Sequence, residues 1–198
     1  MSAAAKSESR AASAILSDAS EILLALSNDR RLSIVNTVVT MNKESGAVRL
    51  AELGRALGLD LKPLSRDVMR LVEAGVLRRD GDALIADIAS LGRIGDSVVE
   101  MTALCQAIPP ESPLRRYLVH GRIVDLPKRP EDLDVIAHAL ASLLPEDQTL
   151  SESEVNAILA HAGDDVARLR RLLADLGLVE RSGSAEYRRP AAAPARAL

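Results

Sequence analysis

LAELGRALGLDLKPLSRDVMRLVEAGVLRRDGDALI, Leu50–Ile85, carries two helical periods, a glycine at the end of each and a hairpin dipeptide. Leu50, Leu53 and Leu57 recur at steps of three and four, which stacks their side chains on one face of a helix. Gly58 then stands where a helix ends, because glycine accepts the left-handed conformation that turns the chain away. Asp60 is placed to cap a second helix through its side chain. That helix turns Leu64, Val68, Leu71 and Val72 inward, and Pro63 falls in its first turn, where a missing N–H costs little. Gly75 closes it. Two short helices joined through a tight turn make a helix-turn-helix. Asp80 and Gly81 then lie between two short apolar runs, a hairpin signal because both residues tolerate positive φ.

A hairpin directly behind the second helix forms the wing of a winged helix. The outward side of that helix carries Lys62, Ser65, Arg66, Met69 and Arg70. From Lys62 to Arg79 five side chains are positive (Lys62, Arg66, Arg70, Arg78 and Arg79) and two are negative (Asp67 and Glu73). The major groove of DNA admits one helix, and side chains near its N-terminal end read the base edges. Arg66 has the fork geometry for a guanine, Ser65 and Lys62 sit where base or phosphate contacts occur, and Arg78 and Arg79 would reach flanking phosphates. A solvated helix face is the plain alternative; the cap, turn, glycine and hairpin together favour DNA.

At these residues the chain resembles the ArsR-type winged-helix repressors, over roughly Glu21 to Leu91. Leu26, Arg31 and Ile34 fit that family's opening helix; Leu50, Ala51, Leu53, Leu57 and Gly58 fit the first helix of its motif. Ser65, Arg66, Leu71, Gly75 and Leu77 fit its recognition helix and exit. The family usually has histidine after the Ser-Arg pair, where Asp67 stands here, and often proline where Asp29 stands. An acid in the groove repels phosphate, so Asp67 is expected to serve a cytosine amino group or to partner Arg66 or Arg70. Metal-sensing relatives use clustered thiolates and imidazoles. Here GAVRLAEL has none, Cys105 is alone, and His120, His138 and His161 are not at ligand spacing. Asp134 and His138 share a helix face but are a weak pair. No metal and no cofactor is expected.

The chain says much of this twice. RLRRLLADLGLVERSG, Arg168–Gly183, follows the first copy at an offset of 102 residues, with Gly177 on Gly75, Arg168 on Arg66, Leu173 on Leu71, Arg181 on Arg79 and Gly183 on Gly81. A single repeat at that distance suggests two similar domains; chance similarity between two Leu/Arg-rich helices is the alternative. Between them, three prolines at 109, 110 and 113 favour an extended linker. The expected order is therefore a disordered start over 1–9, a DNA-binding and dimerisation domain over 10–108, a linker over 109–116, a second winged-helix-like domain over 117–189 and a disordered tail over 190–198. The fold class is mostly α, of the α+β type.

Composition agrees. Hydrophobic residues are 47% of the 198 and only Tyr117 and Tyr187 are aromatic, so the core is Leu, Val, Ile and Ala, which suits helices. A net charge of −3 excludes a nonspecific polycation but leaves room for a local basic patch. One cysteine allows no intrachain disulfide. MSAAAKSESRAAS lacks the apolar centre of a signal peptide, and no apolar run is long enough to span a bilayer. The expectation is a cytoplasmic protein with no membrane partner.

Two apolar stripes flank the first motif. Leu91, Ile94, Val98, Met101, Cys105 and Ile108 recur at steps of three and four, and so do Ala12, Ile15, Ala19, Ile22 and Leu26. The family resemblance implies pairing of such helices across a two-fold axis, so a homodimer is expected through Ile15, Ile22, Leu91, Ile94, Val98, Met101 and Cys105. Packing within one chain is the alternative.

The second domain reads as short strands around Tyr117 to Val124, a basic loop, a helix from about Glu131, a capping box at Ser151 and Glu154, and a helix capped by Asp164. Val155, Ile158, Leu159, Val166, Leu169, Leu172, Leu173 and Leu176 face in, and Arg168, Arg170 and Arg171 stay mostly outward. GRIVDLPKRPEDL, SESEVNAIL and DDVARLRRLLADLGLVER resemble the domain of unknown function 2087 over about Tyr117 to Arg189. Three roles stay open: a second nucleic-acid or partner face through Arg168, Arg170, Arg171 and Arg181, a ligand or protein sensor, or oligomer building. The functional expectation is a dimeric, sequence-specific regulator on double-stranded DNA, with no effector named by the residues. The rival is a structural adaptor using tandem winged helices for protein contacts. With no phosphate loop, histidine-containing triad or metal set, an enzyme is not expected; a pocket joining Asp134, His138 and Arg129 would reopen that question.

Overall fold

The structure, a computed structural model, describes residues 3–183 and 185–191. It is mostly helical with small antiparallel sheets, and the chain divides into two compact units between Val98 and Val99. In the first unit the elements run α1 (Ala3–Leu26), α2 (Asp29–Ser45), β1 (Val48–Arg49), α3 (Leu50–Leu57), α4 (Leu61–Glu73), β2 (Leu77–Asp80) and β3 (Ala83–Ala86). Helix α5 (Ile88–Glu100) spans the division. The second unit continues with α6 (Ala103–Ala107), a 3-10 turn (Pro113–Tyr117), β4 (Leu118–Val119), β5 (Arg122–Ile123), α7 (Pro130–Ser142), β6 (Thr149–Ser151), α8 (Glu152–Leu159), α9 (Val166–Asp175), β7 (Glu180–Ser182) and β8 (Glu186–Arg188).

The two units repeat one design. Helix, short strand, two helices and hairpin follow each other as α2-β1-α3-α4-β2-β3 and again as α7-β6-α8-α9-β7-β8. The sheet orders are β1-β3-β2 and β6-β8-β7, all antiparallel. This is a winged-helix-like order in both. The α3 and α8 bounds differ by 102 residues, the offset of the sequence repeat.

Each copy closes on its own apolar core. In the first, Ile34, Val38, Leu53, Leu64, Val68 and Leu71 are fully buried. In the second, Ile136, Leu140, Val155, Leu159 and Leu173 do the same work, with Tyr187 at 4% exposure. Full burial of one such leucine stabilises by about 1.5–3 kcal/mol. The helix ends are closed by the residues the pattern singled out: Gly58, Gly75 and Gly177 take positive φ. Ser151 and Glu154 form a reciprocal box, Glu154 N–H donating to Ser151 Oγ at 3.3 Å and Ser151 N–H to Glu154 Oε2 at 2.7 Å.

Several expectations are corrected. Residues 3–9, expected to be disordered, belong to α1; Met1 and Ser2, and residues 192–198 of the expected tail, lie outside the described residues. The proline stretch is no extended linker. Ile108 and Leu114 are buried in the second core, and Pro113 opens the 3-10 turn with Ser112 accepting from Leu114 N–H. The boundary therefore falls upstream, at Val98. Helix α5 stops at Glu100, so the apolar stripe from Leu91 to Ile108 is broken before Cys105. The first hairpin pairs Asp80 with Ala83, so Gly81 and Asp82 are its turn, not Asp80 and Gly81. Asp60 takes the N-cap position of α4 without a side-chain bond. Asp165, not Asp164, caps α9 by accepting from Arg168 N–H.

Candidate nucleic-acid interface

Helix α4 is held in place from three sides. Gly58, at φ 63°, turns the chain out of α3. Gly54 is buried, and a Cβ there would lie 3.1 Å from Leu61 and 3.2 Å from the Leu59 carbonyl, so glycine lets the turn pack closely on α3. Leu64, Val68 and Leu71 anchor the inner face. Asp67 completes the seating. It is 7% exposed and accepts from Arg30 Nε on α2 at 2.5 Å. This corrects its expected role: Asp67 turns inward to Arg30, not outward to Arg66, Arg70 or a base. Asp29 is explained as well. It sits in the first turn of α2, where an acid complements the helix dipole, beside the N-cap Asn28.

With that face fixed, Lys62, Arg66 and Arg70 are exposed on α4 and Ser65 is half-buried. Leu61 and Met69 are also exposed, at 53% and 54%. Arg78 and Arg79 are exposed on β2. Among the described residues none of these five cations forms an ion pair. Two details refine the expected site. Arg70 lines a shallow hollow with Glu21 and Glu73, which places it toward α1. Arg78 lies opposite Ile85 and Arg79 opposite Leu84, so strand alternation sends the two arginines to opposite faces of the hairpin. The hairpin is fixed to α2 by one amide: Asn42 Nδ2 donates to the Leu84 carbonyl at 3.1 Å, and Ala86 N–H donates to Asn42 Oδ1 at 2.9 Å.

The second copy presents a different surface at matching positions. Asp164 replaces Lys62, Ala167 replaces Ser65, Leu172 replaces Arg70 and Glu180 replaces Arg78. Arg168, matching Arg66, faces Asp125 at 3.6 Å. Arg170 matches the core residue Val68, and it is turned inward, not outward as expected. It pairs with Glu152 at 2.8 Å, donates to Asn156 and lies over the Tyr187 ring at 5.8 Å. Arg181 lies over the same ring at 5.9 Å. Arg171 is exposed, its Nε donating to the Ala167 carbonyl at 3.2 Å.

The residues expected at a dimer seam are dispersed. Ile22 and Leu91 pack on the first core, Ile15, Ile94, Val98 and Met101 are partly buried, and Cys105 is 2% exposed in the second unit. Buried there, Cys105 offers no surface to a second copy. Among the described residues, the exposed large apolar side chains of α1 are Leu16 at 50%, Leu23 at 69% and Leu24 at 64%. Sequence reasoning missed them because it followed the Ile15–Ile22 stripe; Leu16 and Leu23, one residue over, share the same seven-residue spacing.

Elsewhere, Tyr117 Oη and Arg116 both donate to Asp132 Oδ2, at 2.9 and 2.8 Å. The Tyr117 hydrogen bond, aided by Arg116, holds the Asp132 carboxyl below its ordinary pKa; Tyr117 and Asp132 raise that of Arg116. The Ser151 hydroxyl and N–H lower that of Glu154. Asp134 and His138 face each other at 3.5 Å with both side chains more than half exposed. Among the described residues no cluster of three or more metal-capable side chains occurs, and no helix is long and apolar enough to cross a membrane.

Residues 122–189 match the family described as uncharacterized protein conserved in bacteria (DUF2087). A DUF2087 domain thus covers β5 through β8, inside the second unit. No curated protein and no solved structure matches the chain.

Proposed function

We propose that the chain is a DNA-binding transcription regulator whose first unit lays α4 in the major groove and β2–β3 along the phosphates, in the manner of the ArsR-type repressors it resembles. One observation carries the reading. Five exposed cations without carboxylate partners occupy one helix and its hairpin in the first copy, while the second copy has acids or paired arginines at several matching positions. A merely solvated surface gives no reason for that divergence between two copies of one design. Lys62, Ser65 and Arg66 lie in the N-terminal half of α4, the part of a recognition helix that reaches base edges. Arg78 or Arg79 supplies a phosphate contact from the wing. Arg70, beside Glu21 and Glu73, contributes least.

A second copy of the chain is the expected partner, through the open face of α1 that carries Leu16 and Leu23 together with α5, which has no buried residue. Two copies would set two recognition helices about one turn of DNA apart. The adaptor reading keeps one observation in its favour: Leu61 and Met69 put exposed apolar surface among the cations. Selection of genomic fragments by the purified protein, followed by a salt series, separates the two. A regulator enriches defined fragments and loses affinity with salt, with a slope of about −0.9 per phosphate neutralised. An adaptor enriches none.

A further inference from the structure

The second unit contains a cavity of about 500 Å³ framed by α6, the β4–β5 turn, and the ends of α7 and α8. Its volume falls in the range of small-molecule sites, roughly 300–1,000 Å³. Leu104 and Ala162, both buried, form an apolar floor, and Leu143 and Ile158 extend it. His120 and His161, both exposed, and the half-buried Arg122 line the remainder with nitrogen donors, next to the Thr102 hydroxyl. Among the described residues no carboxylate lines the cavity.

The frame is built, not incidental. Val119 pairs with Arg122, so His120 and Gly121 form a two-residue turn, both with positive φ, 50° and 75°. Few residues other than glycine take that conformation, and histidine is among those that tolerate it. Gly121 is pressed against Thr102: a Cβ there would lie 2.4 Å from Thr102 Oγ1. Ile123 N–H donates to the Ala162 carbonyl at 2.7 Å, and Arg122 holds Asp164 at 2.5 Å. The hairpin is thereby fastened to α6 on one side and to the α8–α9 turn on the other. The Arg122 side chain keeps 41% of its surface exposed beside that pair, which leaves it room for a second anion.

We propose that this cavity binds a small organic acid, its apolar body on the Leu104–Ile158 floor and its carboxylate at the mouth, against Arg122, His161 and His120. His120 and His161, beside an Arg122 that Asp164 engages from outside the lining, favour a negative group, and a floor without hydroxyl or amide partners selects a hydrocarbon over a sugar phosphate, whose hydroxyls would go unpaired. No α4 residue lines the cavity, and the proposal stands whether or not the first unit binds DNA.

The test uses the full chain with three probes of one apolar body: hexanoate, 1-hexanol and hexylamine. Titration calorimetry gives affinities, and methyl chemical shifts give location. Hexanoate binds at least about tenfold tighter than the alcohol or the amine, and shifts the methyl groups of Leu104, Leu143 and Ile158. His161→Ala weakens hexanoate severalfold, and Ala103→Phe, placed at the exposed rim, abolishes binding while the melting temperature holds. Equal affinity for all three probes, shifts elsewhere, or no saturation by hexanoate at millimolar concentration would overturn the proposal.

Discussion

Asp67 shows how much one side chain can redirect a reading. From spacing it belongs near the outward face of a helix rich in arginine, and an acid there opposes a polyanion. In the fold it points to Arg30 and pins α4 to α2. Charge identity was legible in the sequence; the partner, thirty-seven residues away on another helix, was not. Asp67→Asn should cost about 1–2 kcal/mol in urea unfolding, because a charge-assisted bond is lost but Arg30 is half exposed and can return to water. A stability change below a few tenths would leave Asp67 without its structural role. Asp132 makes a second residue-scale prediction. Its carboxyl is held below the ordinary value, so its contribution is present above the unfolded carboxylate pKa of about 4 and is lost as pH falls through the lower folded value. Tyr117→Phe should flatten the acid limb of a stability-against-pH curve; an unchanged limb would mean the Tyr117 bond does not set it.

At the scale of elements, the helices of both motifs were legible because apolar period, glycine and cap reinforce one another. Strand registers and helix junctions were less so. Asp80-Gly81 and Gly81-Asp82 are equally good turn dipeptides, and only pairing across the hairpin chooses between them. The stripe from Leu91 to Ile108 reads as one helix, yet α5 ends at Glu100 and the remainder is drawn into another core. Periodicity reports which side chains want burial, not which core takes them. The wing depends on Asn42, a residue that no local pattern marks. Asn42→Ala removes both amide bonds to β3 and should destabilise the first unit by about 1–3 kcal/mol. Hydrogen exchange should then quicken at Ala86 before it does at Val68. Exchange that quickens equally throughout would show that the amide does not hold the hairpin separately.

For the whole molecule, duplication is the organising fact. The repeat in the sequence and the repeat in the fold share one offset, so two similar domains could be read from the chain, while their boundary could not: prolines at 109, 110 and 113 look like a linker but serve a packed turn. Divergence between the copies gives the functional reading its content. Lys62 and Arg78 in the first stand against Asp164 and Glu180 in the second. If the first copy alone meets the duplex, one of Arg78→Ala and Arg79→Ala should reduce the salt slope by about one unit with little change in sequence preference, and the other, on the opposite face of the hairpin, should leave it unchanged. The most direct measurement is the affinity of the selected genomic fragment for three proteins across a salt series: the natural chain, Lys62→Asp with Arg78→Glu, and Arg168→Ala. If α4 and its hairpin meet the duplex, the double variant loses about a hundredfold or more in affinity and shows a shallower slope, with Arg168→Ala within about twofold of the natural chain. A double variant that binds as tightly as the natural chain, at the same slope, would contradict it.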